Sequence, residues 1–164
     1  MEQTMTINDQ LVELGSLVNN EETAVQRVGA RMVDEFFSSF VSGNADMETT
    51  ANVLYYLTDI QVRDYALGIL DKYGRVEAAL KHLLESAPTD TIYINAPAAL
   101  LAQLYYEQGA TANAFLTLTN AQPDYSLALL LDRVFRAKFS PSGFARMREE
   151  LHPKVVAGIF GEDN

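Results

Sequence analysis

Apolar residues recur at three- and four-residue spacings almost from end to end of this chain. That spacing puts them on one face of an α-helix. Strict alternation over strand length is missing, and no Asn-Gly or Asp-Gly pair is present to turn a hairpin. The pattern therefore predicts an all-α fold: a compact bundle of eight or nine short helices. A length of 164 residues with 48% hydrophobic side chains is enough to close one core.

Local signals divide the chain. Asn8 or Asp9 is expected to cap a first helix carrying Leu11, Leu14, Leu17 and Val18, broken by Asn19-Asn20. Asn20 then caps a second helix, with Glu21 and Glu22 suited to its N-terminal dipole. One stripe of that helix holds Val25, Val28, Met32, Phe36 and Phe40. The adjacent stripe holds Val33, Phe37 and Val41, before Gly43-Asn44 ends it. So wide an apolar face requires burial on two sides, or a partner. A third helix is predicted from Asp46 to Leu57, with Met47, Ala51, Leu54 and Leu57 inward. Asp59 caps a fourth, bearing Val62, Ala66, Ile69, Leu70 and Tyr73 and stopped by Gly74. A fifth, with Val76, Leu80, Leu83 and Leu84, ends at Ser86-Ala87-Pro88. Ile92-Tyr93-Ile94 is the one strand-like run, and without a pairing partner it reads as a connection. Asn95 and Pro97 open the next helix as cap and first-turn proline. Thr111 to Asn120 follows, then a helix with Leu127, Leu130, Leu131, Val134 and Phe135. Ser140-Pro141 starts a last helix, expected to stop before Pro153. The domain is thus expected over 1–152, with a sub-boundary at 87–94 and a fraying tail over 153–164.

The formal charge of −10 disfavours general binding to a phosphate backbone. It is unevenly spread. Residues 1–62 hold ten acidic and two basic residues, whereas 133–164 hold six basic and four acidic. An acidic surface keeps a chain soluble and also steers basic partners. No cysteine is present, so thiolate metal sites and cysteine nucleophiles are excluded. Met1 to Met5 shows no basic stretch leading into an apolar run. The nearly apolar stretch Ala98–Tyr106 is about half a bilayer span. A cytoplasmic protein without membrane contact is expected.

Few residues suggest chemistry. Asp59, Arg63 and Asp64 form a polar cluster in which Asp59 and Arg63, four apart, can pair on one helix face. Such a cluster reads first as a cap plus a structural ion pair. The pairs Glu21-Glu22, Asp34-Glu35 and Glu149-Glu150 diverge by about 100° on a helix and cannot converge on one bond. His82 is placed at the edge of a polar face, and His152 at a helix end where a cationic ring suits the dipole. Neither has metal-ligand spacing. Ser16, Ser38, Ser39 and Ser126 lack a Gly-x-Ser-x-Gly setting, and no glycine-rich phosphate loop occurs. No catalytic residue, cofactor or metal is expected, so the chain is read as a non-enzyme. Arg133, Arg136, Lys138, Arg146, Arg148 and Lys154 form a basic C-terminal cluster interleaved with Phe135, Phe139 and Phe144. The phenylalanines there fit a core pattern.

Two resemblances add to this. Leu101-Ala102-Gln103-Leu104-Tyr105-Tyr106-Glu107-Gln108-Gly109 looks like the first helix of a tetratricopeptide repeat, and Ala114, Phe115, Leu118 and Ala121 like its second. Pro123 shortens that second helix. One unit cannot make a solenoid, so a helical hairpin inside a larger domain is expected. Over about residues 57–147 the chain resembles a family known as domain of unknown function 4192, found in actinobacteria and their phages. The resembling motifs are Leu57-Thr58-Asp59-Ile60-Gln61-Val62-Arg63-Asp64, the hairpin Leu100 to Ala121, and the step Pro123-Asp124-Tyr125-Ser126-Leu127-Ala128. The leucine-rich Leu129 to Val134 and the turn at Ser140-Pro141 complete them. The longer N-terminal region usual in that family has no clear counterpart in 1–56, and Thr117 and Thr119 stand where small residues or leucine are usual. The resemblance implies a helical fold and an actinobacterial or phage origin, and no activity.

The expected role is a non-enzymatic protein-interaction or assembly module, phage-encoded in one reading, binding a host protein or a second copy of itself. The interaction candidates are Phe36, Phe37, Phe40, Tyr105, Tyr106, Arg133 and Arg136. Two alternatives stand beside it. One is an acidic nucleic-acid mimic using residues 1–62. The other is direct nucleic-acid binding through the basic C-terminal helices.

Overall fold

The computed structural model describes residues 6–17 and 22–161, and of residues 13–17 the backbone only. The described residues form nine α-helices and one 3₁₀ turn, with no strand among them. They are α1 (Ile7–Leu17), α2 (Glu22–Ser39), α3 (Met47–Tyr56), α4 (Ile60–Gly68) and α5 (Val76–Ser86). The 3₁₀ turn Ile92–Ile94 leads directly into α6 (Asn95–Glu107), followed by α7 (Thr111–Leu118), α8 (Ser126–Arg136) and α9 (Pro141–Phe160).

Short polar side chains set several helix starts. Thr6, not Asn8 or Asp9, opens α1. Its hydroxyl accepts the Asp9 amide at 3.1 Å while the Asp9 carboxylate accepts the Thr6 amide at 3.1 Å, a reciprocal cap. Asp46 accepts the Thr49 amide at 2.7 Å, and Asp59 accepts those of Gln61 and Val62 at 2.8 and 3.2 Å. Ser140 caps α9 with Pro141 as its first residue. The break expected at Asn19-Asn20, with Val18 and Glu21 beside it, and the side chains of Leu14 and Leu17 lie outside the described residues.

Several expectations are corrected. The fourth helix ends at Gly68 rather than Gly74. The Ile69 amide bonds to Ala66 O at 3.1 Å, tightening the last turn, yet Ile69 and Leu70 still reach the core. Asn95 is a helical residue, not a cap. Its amide ties α6 to the α7–α8 loop, donating to Gln122 Oε1 at 2.8 Å and accepting the Gln122 amide at 2.7 Å. Met47, expected inward, is exposed, and so is Leu130 of α8. The last helix does not stop before Pro153. It runs through it to Phe160, because Ile159 is wholly buried and Arg27 of α2 donates to Ile159 O at 2.9 Å. Packing of this end outweighs the missing proline N–H.

Two clusters make the core. The larger draws on α1 to α6 and includes Leu11, Phe37, Leu54, Val62 and Leu80. The smaller joins α6, α7 and α8 through Ala99, Ala102, Ala114, Leu131 and Phe135. Helix α6 serves both: Leu100, Leu101 and Leu104 face the first, and Ala99, Ala102 and Tyr106 the second. In the α6–α7 hairpin, alanines allow close approach and Gly109 turns the chain at a φ of +83°.

The wide apolar face of α2 is covered by the protein itself. Phe36, Phe37 and Phe40 are 5, 0 and 6% exposed and belong to the larger cluster. They are therefore not surface interaction residues. Val28 and Val41 remain exposed. No described helix is long and apolar enough to cross a membrane.

Candidate functional site

The expected Asp59–Arg63–Asp64 cluster divides in two. Asp59 is occupied as the α4 cap and also accepts from Gln26 Nε2 of α2 at 3.2 Å, so it does not pair with Arg63. Arg63 instead binds the neighbouring Asp64 carboxylate at 2.8 Å and donates to the Tyr125 hydroxyl at 3.3 Å. This pins α4 to the start of α8.

Arg148, expected as part of a basic C-terminal cluster, is not a surface charge. It is 5% exposed, with its guanidinium held by both oxygens of Glu107, Nε to Oε2 at 2.7 Å and Nη2 to Oε1 at 2.7 Å. Its Nη1 reaches Asp71 at 3.4 Å. Glu107 also accepts a hydrogen bond from the buried Gln103. The fork geometry of arginine suits this two-point grip. A cleft of about 940 Å³ opens beside the group, lined by Leu70, Asp71, Glu77, Leu104, Glu107 and Ser142 among others. The Arg148 guanidinium is already engaged by two carboxylates, so among the described residues the cleft's lining holds no unpaired cation for an anionic ligand.

A second polar hub joins α2, α4 and the turn before α5. Asp34 accepts from the hydroxyls of Tyr65, at 2.6 Å, and Tyr73, and from Lys72 Nζ at 3.2 Å. Burial raises the Asp34 pKa, but these three donors outweigh it and hold the carboxyl below the usual range. Burial and the Asp34 charge push the Tyr65 hydroxyl well up. His152 lies over Tyr65 with ring centroids 5.3 Å apart. It is inside α9, not at a cationic helix end, and burial together with Lys72 and Arg148 pushes its pKa down. His82 hydrogen-bonds the Thr50 hydroxyl through Nε2 at 2.8 Å and packs on Phe36 and Phe40. Among the described residues no three His, Asp or Glu side chains gather as metal ligands would.

The remaining interaction candidates fall around the α6–α7–α8 unit. Tyr106 is buried, stacked on Phe135 at 4.3 Å, and donates to Phe139 O, so it is structural. Tyr105 is half-buried, with Lys81 Nζ 6.0 Å from its ring centroid. Arg133 is exposed. Arg136 pairs with Asp132 at 2.8 Å and lies over the Phe115 ring at 5.6 Å. Arg136 borders a groove of about 550 Å³ between α7 and α8, lined by Phe115, Leu116, Leu118, Ala128 and Leu129. Leu116 and Leu129 are 70 and 46% exposed. Sequence periodicity missed this groove, because it forms only where α7 and α8 leave space between them.

An all-α bundle built on a central two-faced helix, with a hairpin and an open apolar groove, is the class of protein this fold defines. The model of the family described as Domain of unknown function (DUF4192) matches residues 7–142, and the chain belongs to that family. The match reaches back through α1, well before the expected start at residue 57, and ends at 142 rather than 147. It ends at the second residue of α9, leaving Arg148, His152 and Ile159 outside the matched stretch. No curated protein and no solved structure matches the chain.

Proposed function

We propose that this chain is a non-enzymatic protein-interaction module, working in the cytoplasm of a bacterial cell or a phage-infected host. Its α7–α8 groove receives an apolar, acidic segment of a protein partner. The observation that carries this is the groove itself: Leu116 and Leu129 stand exposed beside an apolar floor, with Arg136 at its border and Arg133 exposed on the same helix. Isolated surface leucines need no explanation, but two beside an open apolar groove support a seat for an apolar partner. An amphipathic helix laid into such a groove would bury them, and the arginines would favour acidic flanks.

The other readings have less support. Nucleic-acid binding by the C-terminal helices loses Arg148 to Glu107 and Phe135 to the core. Acidic mimicry loses Asp34 and Asp59, which are partly buried and held by hydrogen bonds of the fold. Affinity capture from host lysate tests the proposal, with Leu116→Asp/Leu129→Asp as the comparison. The wild-type protein is expected to retain a partner that the double variant, equally helical by circular dichroism, loses. Retention by both chains, or by neither, would overturn the groove assignment.

A further inference from the structure

The His152 ring occupies an unusual seat. It packs on the bare backbone of Gly68 at the end of α4, where a Cβ would lie 1.9 Å from Nδ1. Nδ1 is buried and has no hydrogen-bond partner among the described residues. A neutral imidazole with a bare ring nitrogen tolerates that seat, whereas an imidazolium would place an unpaired N–H and a charge there.

The groups around it reinforce this. Lys72, from the turn before α5, and Arg148, one helical turn earlier on α9, both disfavour a second positive charge. Asp34 of α2 favours it, but that carboxylate is already held by Tyr65, Tyr73 and Lys72. Asp71 is engaged by Arg148. Tyr65 of α4 offers its ring, not an acceptor, since its hydroxyl points to Asp34.

What depends on this seat is the end of α9. Pro153 follows immediately and supplies no N–H, so the helix is weakest there. Beyond it, docking rests on Ile159, on Phe160 against Tyr65 with Arg31 over its ring, and on Arg27 at Ile159 O.

We infer that His152 is a proton-operated latch: the neutral ring seats α9 on Gly68, and protonation frees the 153–160 half of the helix, exposing Ile159 and Phe160. This would give the protein an apolar surface that appears only on mild acidification. It is independent of the α7–α8 groove.

Methyl and imidazole NMR of the full chain, titrated from pH 7.5 to 5.0, tests it. The Ile159 methyls are expected to move toward their unfolded-state position with the same midpoint as the His152 ring, while the Leu131 methyls stay in place. In His152→Asn, which cannot charge, the Ile159 transition should be lost. Because the wild-type titration stands alone, the inference remains testable if that variant does not fold. Ile159 signals that stay fixed while His152 titrates would overturn it. So would Leu131 moving at the same midpoint, an unchanged Ile159 transition in His152→Asn, or a ring that never titrates in this range.

Discussion

Removing Arg148 strands a buried carboxylate. Glu107 has a side chain only 9% exposed and two oxygens committed to that guanidinium. Arg148→Met should therefore destabilise the protein by about 3–5 kcal/mol, the usual cost of breaking one side of a buried pair. Urea unfolding measures this, and a change below 1 kcal/mol, roughly that of a surface pair, would show that Glu107 finds water instead. Gly68 makes a second prediction. An alanine there meets His152 at 1.9 Å and should cost about 1–3 kcal/mol. In the Gly68→Ala/His152→Ala pair the new methyl takes part of the vacated space, so the combined loss should fall short of the two single losses added. Neither residue stood out in the sequence, where Arg148 sits among surface-patterned charges and Gly68 falls mid-helix. Their importance comes from what α9 brings against α6 and α4, and single-helix periodicity carries no such information. The cap at Asp59 was legible, since an N-cap depends on residues two or three positions away.

Helix α9 shows how local and tertiary preferences compete within one element. Its start follows local rules: Ser140 caps and Pro141 fits the first turn. Its middle breaks them, since Pro153 sits inside a helix whose end is anchored by a wholly buried Ile159. Pro153→Ala restores a hydrogen-bond donor to the ladder and should stabilise the protein by about 1–3 kcal/mol, given the difference in helix propensity. A rise in thermal midpoint would check this, and a fall would mean that the proline itself seats the helix end. The same competition explains α2. Its apolar stripe was legible, but not whether Phe36, Phe37 and Phe40 met this chain or another, because amphipathicity shows that a face is buried without showing by what.

For the molecule as a whole, pH resolves the two kinds of electrostatic device. His152 has its pKa lowered on folding, so its contribution is intact above the ordinary value of 6.5 and declines as pH falls below it. Asp46 is also lowered, by the Thr49 amide, and Asp34 and Asp71 are lowered because their donors outweigh burial. Their contributions are intact above the ordinary carboxylate value of 3.8 and decline as pH falls through it. The urea midpoint is therefore expected to drop in two stages, a small one below pH 6.5 that is absent in His152→Asn and a larger one in the acid range. The all-α class was legible because a helix announces itself through nearest turns. The groove between α7 and α8 was not, since it exists only where two such helices leave space between them. Helix α6, with Leu100 turned to one cluster and Ala99 to the other, has a consequence for how the gene can vary. Most amphipathic helices can drift on their wet side. Between Ile94 and Leu104 every residue is buried, and no such side exists. In a library of all single substitutions scored for soluble expression, this eleven-residue window should be the longest unbroken stretch of intolerance in the chain.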